Sequence, residues 1–414
     1  MRAPELETKA IGPGTAPLPA ASPRSFVEHE DHSVSVPDGV VRFVSRQDLA
    51  GCEAWRRAFA ARCKDHRYYE ILEETLKDGF EHHYLVMEDL TGKVRGVQPL
   101  FFVRQNLTEG MAGRMRAIIN AARRRFPRFL TMRIMMVGCA AGEGHLGACA
   151  AEDEAWMAEA LRASLPALAR RHRASLVVLK DFPASYRAIL SNFSSSGYAR
   201  VPSMPLTGLA LRYAGFEEYL TSLGSATRKN LRRKFRETAL AAPIALEVVS
   251  DITAHVEEIY PLYEQVHARS PMKFETLTKE YFQRVGTEMP KRARFFLWRQ
   301  NGRIIAFSFA LVHHDTFYDE CLGLDYRVAL DLHLYYYTIR DVISWALEQG
   351  LKFYCSSPLN YDPKLHLGCH LVPLDLYVRH MAPLINPLFR YAVKYLEPTR
   401  HDPVLQQFPN AAEL

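Results

Sequence analysis

Two groups of residues in this chain have the types and spacing to hold an anion. The first is RKNLRRKFRE, residues 228–237, in which six of the nine residues from Arg228 to Arg236 are Lys or Arg. Leu231 and Phe235 are four apart, on one face of a helix, which leaves Arg228, Lys229, Arg232 and Arg233 to cover the rest of the cylinder. Guanidinium forks and ammonium groups presented this way suit phosphate, as in coenzyme A, nucleotides, tRNA or lipid headgroups. A solvated basic helix with no ligand has the same pattern. The second group is GEGHLG, with Gly142, Gly144 and Gly147. It lies between a strand ending near Val137 and a helix starting near Glu152, where backbone N–H groups are offered to a phosphate. A surface loop is the alternative, with Glu143 and His145 as polar candidates inside it. No βαβ unit with a downstream ribose-binding acid surrounds the glycines, so a dinucleotide fold is rejected.

Other reactive side chains carry less. Cys321 has no paired His in the sequence, and a packing Cys is the plainer reading. His313 and His314 are adjacent on a strand, face opposite ways and cannot easily share an ion. The seven cysteines are scattered and contain no CxxC. That argues against a disulfide framework and against a zinc or other metal site, and fits a reducing, cytoplasmic compartment.

Positioning these groups takes more than one core: 414 residues imply two domains. With 48% hydrophobic and 24% charged residues, the composition is that of a globular protein. No apolar run is long enough to cross a bilayer, and the N-terminus has no charged-then-apolar leader pattern. Residues 1–37, rich in Pro, Ala and Gly, read as a disordered tail. The remainder reads as two α/β halves, 38–210 and 211–390, with a tail at 391–414. In the first half, GVVRFVSR is a strand. Two helices follow, then a hairpin turning at Thr91-Gly92, the strand FLTMRIMMVGCA, a long helix from Glu152 and the strand SLVVLKDF. In the second half the strand ALEVVSD precedes two helices and a meander turning at Asn301-Gly302 and His314-Asp315. A helix over 332–349 with a Gly350 stop and the strand LKFYCSS complete it. Both halves give the order β-α-α-β-β-β-α-β-α-β.

That order resembles the GNAT superfamily of N-acyltransferases, in its tandem BioF-type and peptidoglycan-recognition-like branch, with Fem-type aminoacyl-tRNA-dependent transferases as relatives. The resemblance runs from about residue 40 to 385. It rests on GVQPLFF (96–102), FEEYLTSLGSATRKNLRRKFRE, GRIIAFSFAL, DECLGLD and Lys364-x3-Gly368. It implies tandem GNAT-like domains, each a splayed mixed sheet flanked by helices. A thioester donor enters the cleft from one side and an amine from the other. The pyrophosphate of coenzyme A binds, in that superfamily, where the glycine loop lies here. The second half has no such loop. In tandem relatives one half commonly loses donor binding, which leaves open which half binds the donor here; the reacting groups are expected in the cleft between the halves, lined mostly by the second.

The resemblance also implies roles. Acyl transfer to an amine needs a base, donors for an oxyanion and often an acid for the thiolate. Strand alternation puts Tyr318, Glu320 and Leu322 on one face and Asp319, Cys321 and Gly323 on the other. Glu320 or Asp319 is then the base candidate, with Asp325 at the strand end. Each is equally readable as a salt-bridged or exposed carboxylate. Tyr361 follows the next strand, where the superfamily often places its acid, and Lys364 matches a family mark. The implied activity is transfer from acyl-CoA, a co-substrate and not a resident cofactor, to the amine of a small metabolite or amino acid derivative. Aminoacyl-tRNA-dependent transfer and non-catalytic binding of an anionic ligand are the alternatives. The Fem-type coiled-coil insertion is absent. The basic stretch 113–130 reads as a lid, a packing helix, or a contact to a membrane or polyanion. The segment VRHMAPLINPLFRYAVKYLEP reads mainly as packing.

Overall fold

Turn chemistry and alternating burial define the first sheet of this computed structural model, which describes residues 32–106 and 131–414. The stretch 113–130 and residues 1–31 of the tail lie outside the described residues. Gly92, at φ +79°, turns the hairpin of β3 (Phe80–Asp89) and β4 (Val94–Asn106). Two antiparallel strands, β1 (Ser33–Val36) and β2 (Gly39–Val44), extend this sheet at one edge. Ser33–Val36 do not belong to the disordered tail expected over residues 1–37, because they find ladder partners on β2. Helices α1 (Glu53–Ala58) and α2 (His66–Thr75) come between β2 and β3. Strand β5 (Thr131–Val137) pairs with β4 and then, through helix α3 (Glu154–Arg171), leads to the parallel strand β6 (Leu176–Pro183). Met157, Leu161, Leu165 and Leu168 form the stripe of α3 that is buried on the sheet. Short helix α4 (Asn192–Ser195) and strands β7 (Ala199–Pro202) and β8 (Leu206–Ala210) follow.

The second half repeats the plan after two helices, α5 (Phe216–Ser222) and α6 (Ser225–Ala239). Strand β9 (Ile244–Val249) precedes α7 (Val256–Arg269) and α8 (Lys279–Glu288). The meander is β10 (Ala293–Gln300), β11 (Arg303–His313) and β12 (Thr316–Leu324). Asn301 and Gly302 both take positive φ, the conformation a two-residue hairpin turn needs. Helix α9 (Leu334–Glu348) crosses over to β13 (Phe353–Ser356), parallel to β12. Then come α10 (Tyr361–His366), β14 (His370–Val372), β15 (Leu374–His380) and α11 (Asn386–Leu396).

The last strand of each half joins the sheet of the other. The first sheet has the order β1-β2-β3-β4-β5-β6-β15-β7 and the second β14-β8-β13-β12-β11-β10-β9. A division at 210/211 and 390 separates neither sheet cleanly: Leu206–Ala210 pair with β13 and β14, and Leu374–His380 pair with β6 and β7. Residues 32–414 form one compact unit. The last residues are not a tail either, since Leu405 and Phe408 are buried in the second core with Tyr361 and Leu371.

Candidate active site

β12 carries an irregularity where the chemistry was expected. Phe309 opposes Cys321 and Ala310 opposes Asp319, so Glu320 is an extra residue with no partner on β11. The bulge breaks the alternation read from sequence. Phe317 and Leu324 share the core on the α9 side, with Leu322 packed against it. Glu320 points instead to the other half. Asp319 turns to the α9 side, accepting from Ser308 Oγ at 2.8 Å and Tyr354 Oη at 2.7 Å. Burial raises its carboxyl above the ordinary value. The β12–β13 pairing stops here too: Ser357 N donates to Asp319 O at 3.0 Å, and Leu359 and Asn360, both at positive φ, turn the chain away.

Opposite Glu320 is Lys64, in the loop before α2. Its ammonium lies 2.7 Å from Glu320 Oε1 and 2.8 Å from Glu143 Oε2, with the side chain 4% exposed. The other half holds that loop in place. Arg292 donates to the Arg62 and Cys63 carbonyls at 2.9 and 2.6 Å and pairs with Asp65 at 3.1 Å. Asp65 caps α2, and Tyr68 Oη meets Tyr281 Oη of α8 at 3.0 Å. Burial opposes the Lys64 charge, but Glu143 and Glu320 outweigh it and keep Lys64 protonated well above the ordinary range. The two carboxylates diverge, as like charges sharing one cation do. For Glu143, Lys64 and His145 overcome the burial that would raise it, and its carboxyl is held low. Burial, reinforced by Glu143, leaves Glu320 raised despite Lys64. His145 stands behind Glu143, 3.7 Å away.

A second buried cation lies nearby. Lys180 Nζ is 2.5 Å from Asp181 Oδ2 and donates to Gly142 O at 3.2 Å, while Asp181 Oδ1 accepts from Ser203 at 2.5 Å. Burial pulls Lys180 down, but Asp181 and Glu275 raise it further. These groups face a cavity of about 590 Å³ whose remaining wall is largely apolar, including Met136, Val178, Leu376 and Val393. A second cavity of about 670 Å³ lies along α9, walled by Thr338, Ile339, Val342, Leu322 and Lys364. Asp319, Glu320, Cys321 and Ser356–Leu359 line both. The two spaces meet where β12 and β13 part.

The other expected residues are distributed unevenly. Tyr361 lines the α9 cavity, but its hydroxyl donates to Pro205 O at 2.9 Å, and burial pushes its pKa up. Lys364 donates to Ser357 O and Leu359 O at 2.6 and 2.9 Å, which braces the loop at the divergence, and burial lowers its pKa to about 8. Asp325 lies in neither cavity wall. It accepts from the Arg327 backbone N–H and guanidinium, a turn-capping role, and that hydrogen bonding holds it below the ordinary value. The glycines are also corrected. Gly142 faces the cavity, but a Cβ on Gly144 would meet Lys180 O at 2.3 Å and one on Gly147 would meet Val97 O at 1.9 Å. Those two are glycines because backbone crosses backbone there, and they form no open phosphate cradle. Arg228, Lys229, Arg232 and Arg233 line neither cavity. Arg228 caps α5 through Thr221 O and Leu223 O, while Arg232 and Arg233 pair on the surface with Glu217 and Glu237. Lys64, Lys180 and Asp181 were not anticipated. The charged Lys-Asp pair inside the apolar strand LVVLKDF was the one available signal.

Two mixed sheets, each with a parallel pair opening onto a cavity, form a tandem GNAT-like fold. The solved structure of FemX supports it, with a TM-score of 0.50 at 12% identity over 78% of this chain and 93% of that one. The C-terminal domain of a putative lysylphosphatidylglycerol synthetase from Agrobacterium fabrum (13% identity, 82% and 96% covered) and a tandem GNAT protein from the clavulanic acid biosynthesis pathway (12%, 83% and 99%) each give a TM-score of 0.46. No curated protein matches the chain. A family model described as peptidoglycan biosynthesis/recognition matches residues 51–357, and the chain belongs to that FemAB-like family. Among the described residues no helix is long and apolar enough to cross a membrane.

Proposed function

We propose that this protein is an N-acyltransferase that moves an acyl group from a thioester, acyl-CoA, lying along α9, to an amine held between the sheets. The observation that carries this reading is the meeting of two cavities at the β12–β13 divergence, with the half-buried carboxylate of Glu320 at the junction. Five carboxyl groups (Glu143, Asp181, Glu275, Asp319, Glu320) and two ammonium groups (Lys64, Lys180) line the inner cavity, a balance that favours a cationic ligand such as an amine. Glu320, with its raised pKa, takes the proton from the acceptor nitrogen. The nitrogen attacks the thioester carbonyl, strand N–H groups at the divergence receive the oxyanion, and the carbon–sulfur bond breaks. Lys364, protonated below about pH 8, returns a proton to the departing thiolate. Lys64 is a positioning residue that holds Glu320 and Glu143 in register.

A second reading has its own support. The cations Lys229, Arg232 and Arg233 are exposed on α6, which packs against α9 through Lys234 over the Tyr336 ring at 3.9 Å. A surface of this kind suits a large polyanionic carrier, and membership of the FemAB-like family fits an aminoacyl-tRNA donor. Isothermal calorimetry with a coenzyme A thioester and with charged tRNA separates the two, and mass spectrometry of an amine mixture incubated with either donor identifies the amide. Binding of the thioester with amide formation supports the first reading. Amide from charged tRNA alone selects the second, and binding without turnover by either defeats both.

A further inference from the structure

The segment expected to pack as part of the C-terminal half instead presents its apolar side chains to solvent. Leu384 is 95% exposed, Leu388 72% and Tyr391 75%, with Ile385 and Tyr395 also more than half or about half exposed. Positions 384, 388, 391 and 395 follow one another at helical spacing, so they form one continuous outer stripe along α11 and the turn before it. The opposite face of the same helix is occupied: Asn386 caps the turn through His380 N and Gly197 O, and Val393 lines the cavity between the sheets. A stripe of Leu and Tyr on an already folded helix is a binding surface and not an incomplete core.

Its charge identifies the partner. From Leu376 to Leu396 there is no Asp or Glu, while Arg379, Arg390 and Lys394 are cationic. The chain as a whole carries a formal charge of +6. Arg390 is turned to the packed face, where it donates to Ser194 O, so the exposed cation of the segment is Lys394. Leu side chains flanked by Tyr, whose ring is apolar and whose hydroxyl is polar, with an exposed lysine and no acid in the segment, match the boundary between acyl chains and anionic headgroups. We infer that α11 is an interfacial helix that docks this protein on an anionic phospholipid surface. Val393, on the opposite face of the same helix, lines the inner cavity, so docking brings that cavity to within one helix of the surface. The surface association does not depend on the transfer chemistry.

The test is co-sedimentation of the full-length protein with vesicles of phosphatidylcholine alone or of phosphatidylcholine containing phosphatidylglycerol. The anionic vesicles should bind it and the neutral ones should bind it several-fold less. The doubly substituted L388S/Y391S protein should partition about a hundredfold less, since each inserted side chain contributes about a tenfold factor. K394Q should weaken binding to the anionic vesicles about fivefold, the share of one surface cation. L384S, outside the helix, serves as a check if the double variant does not fold. No binding of the unmodified protein to either vesicle overturns the inference, as does equal binding of the variants. Sedimentation equilibrium gives the remaining outcome: a dimer made monomeric by L388S/Y391S assigns the stripe to a second copy of the chain and overturns the lipid assignment.

Discussion

The Lys64 ammonium, carried by the loop before α2, lies 2.7 Å from the Glu320 carboxylate on the bulge of β12, so one ion pair ties the first sheet's half to the second. Breaking a buried pair leaves an uncompensated charge and costs more than making it stabilises. Here one lysine serves two carboxylates, so its loss exposes both to an apolar setting.

Lys64→Met should therefore destabilise the fold by about 3–5 kcal/mol near neutral pH. Without the ammonium, Glu143 and Glu320 would have folded-state pKa values above their unfolded ones. Protonation on acidification then relieves the penalty, and the deficit should shrink as pH falls towards 5. Urea denaturation at several pH values checks this, and a deficit independent of pH contradicts it.

Glu320→Gln should lower amide formation by about 10²–10⁴-fold if the carboxylate is the base. The raised pKa of Glu320 predicts that turnover of the unmodified protein declines as pH falls through a value above the ordinary carboxylate range. That acidic limb should vanish in the variant. A retained limb would assign it to another group, Asp319 first.

Lys364 titrates near 8 in the folded protein and at 10.5 when unfolded. Between these values the unfolded chain binds more protons, so this group's contribution to stability rises with pH across the window, by up to about 3 kcal/mol. Lys364→Met should remove that slope. The difference in slope is the readout, since losing the bonds to Ser357 O and Leu359 O shifts the whole curve. In the unmodified enzyme, transfer should also fall above about pH 8 as the proton for the thiolate is lost.

Gly147→Ala distinguishes packing from phosphate binding. A methyl group there overlaps Val97 O, which predicts a loss of about 1–3 kcal/mol in stability with little direct effect on donor affinity. Unchanged stability with weakened donor binding would restore the phosphate reading.

The order of elements was legible because turn residues announce themselves: Asn301-Gly302 and Gly92 sit at positive φ in the hairpins their sequence calls for. Strand exchange was not legible. Alternation reports which face of β8 or β15 is apolar, and that face is the same whichever sheet receives the strand. Glu320 was identifiable as an acid on an apolar strand, sharing a side with Tyr318, yet its grouping with Leu322 does not hold, because a bulge shifts the alternation without a sequence mark. Lys64 was invisible in CKDHR, an ordinary polar loop whose partners are 79 and 256 residues away in sequence.

The exchange of β8 and β15 has a consequence for the order of synthesis. The slot between β6 and β7 is filled by Leu374–His380, so the first sheet remains open until His380 has left the ribosome. The first half cannot mature and wait, as an N-terminal domain ordinarily does. Both sheets close together, through contacts between residues far apart in sequence, and a chain truncated before residue 374 would lack the strand that closes its oldest part.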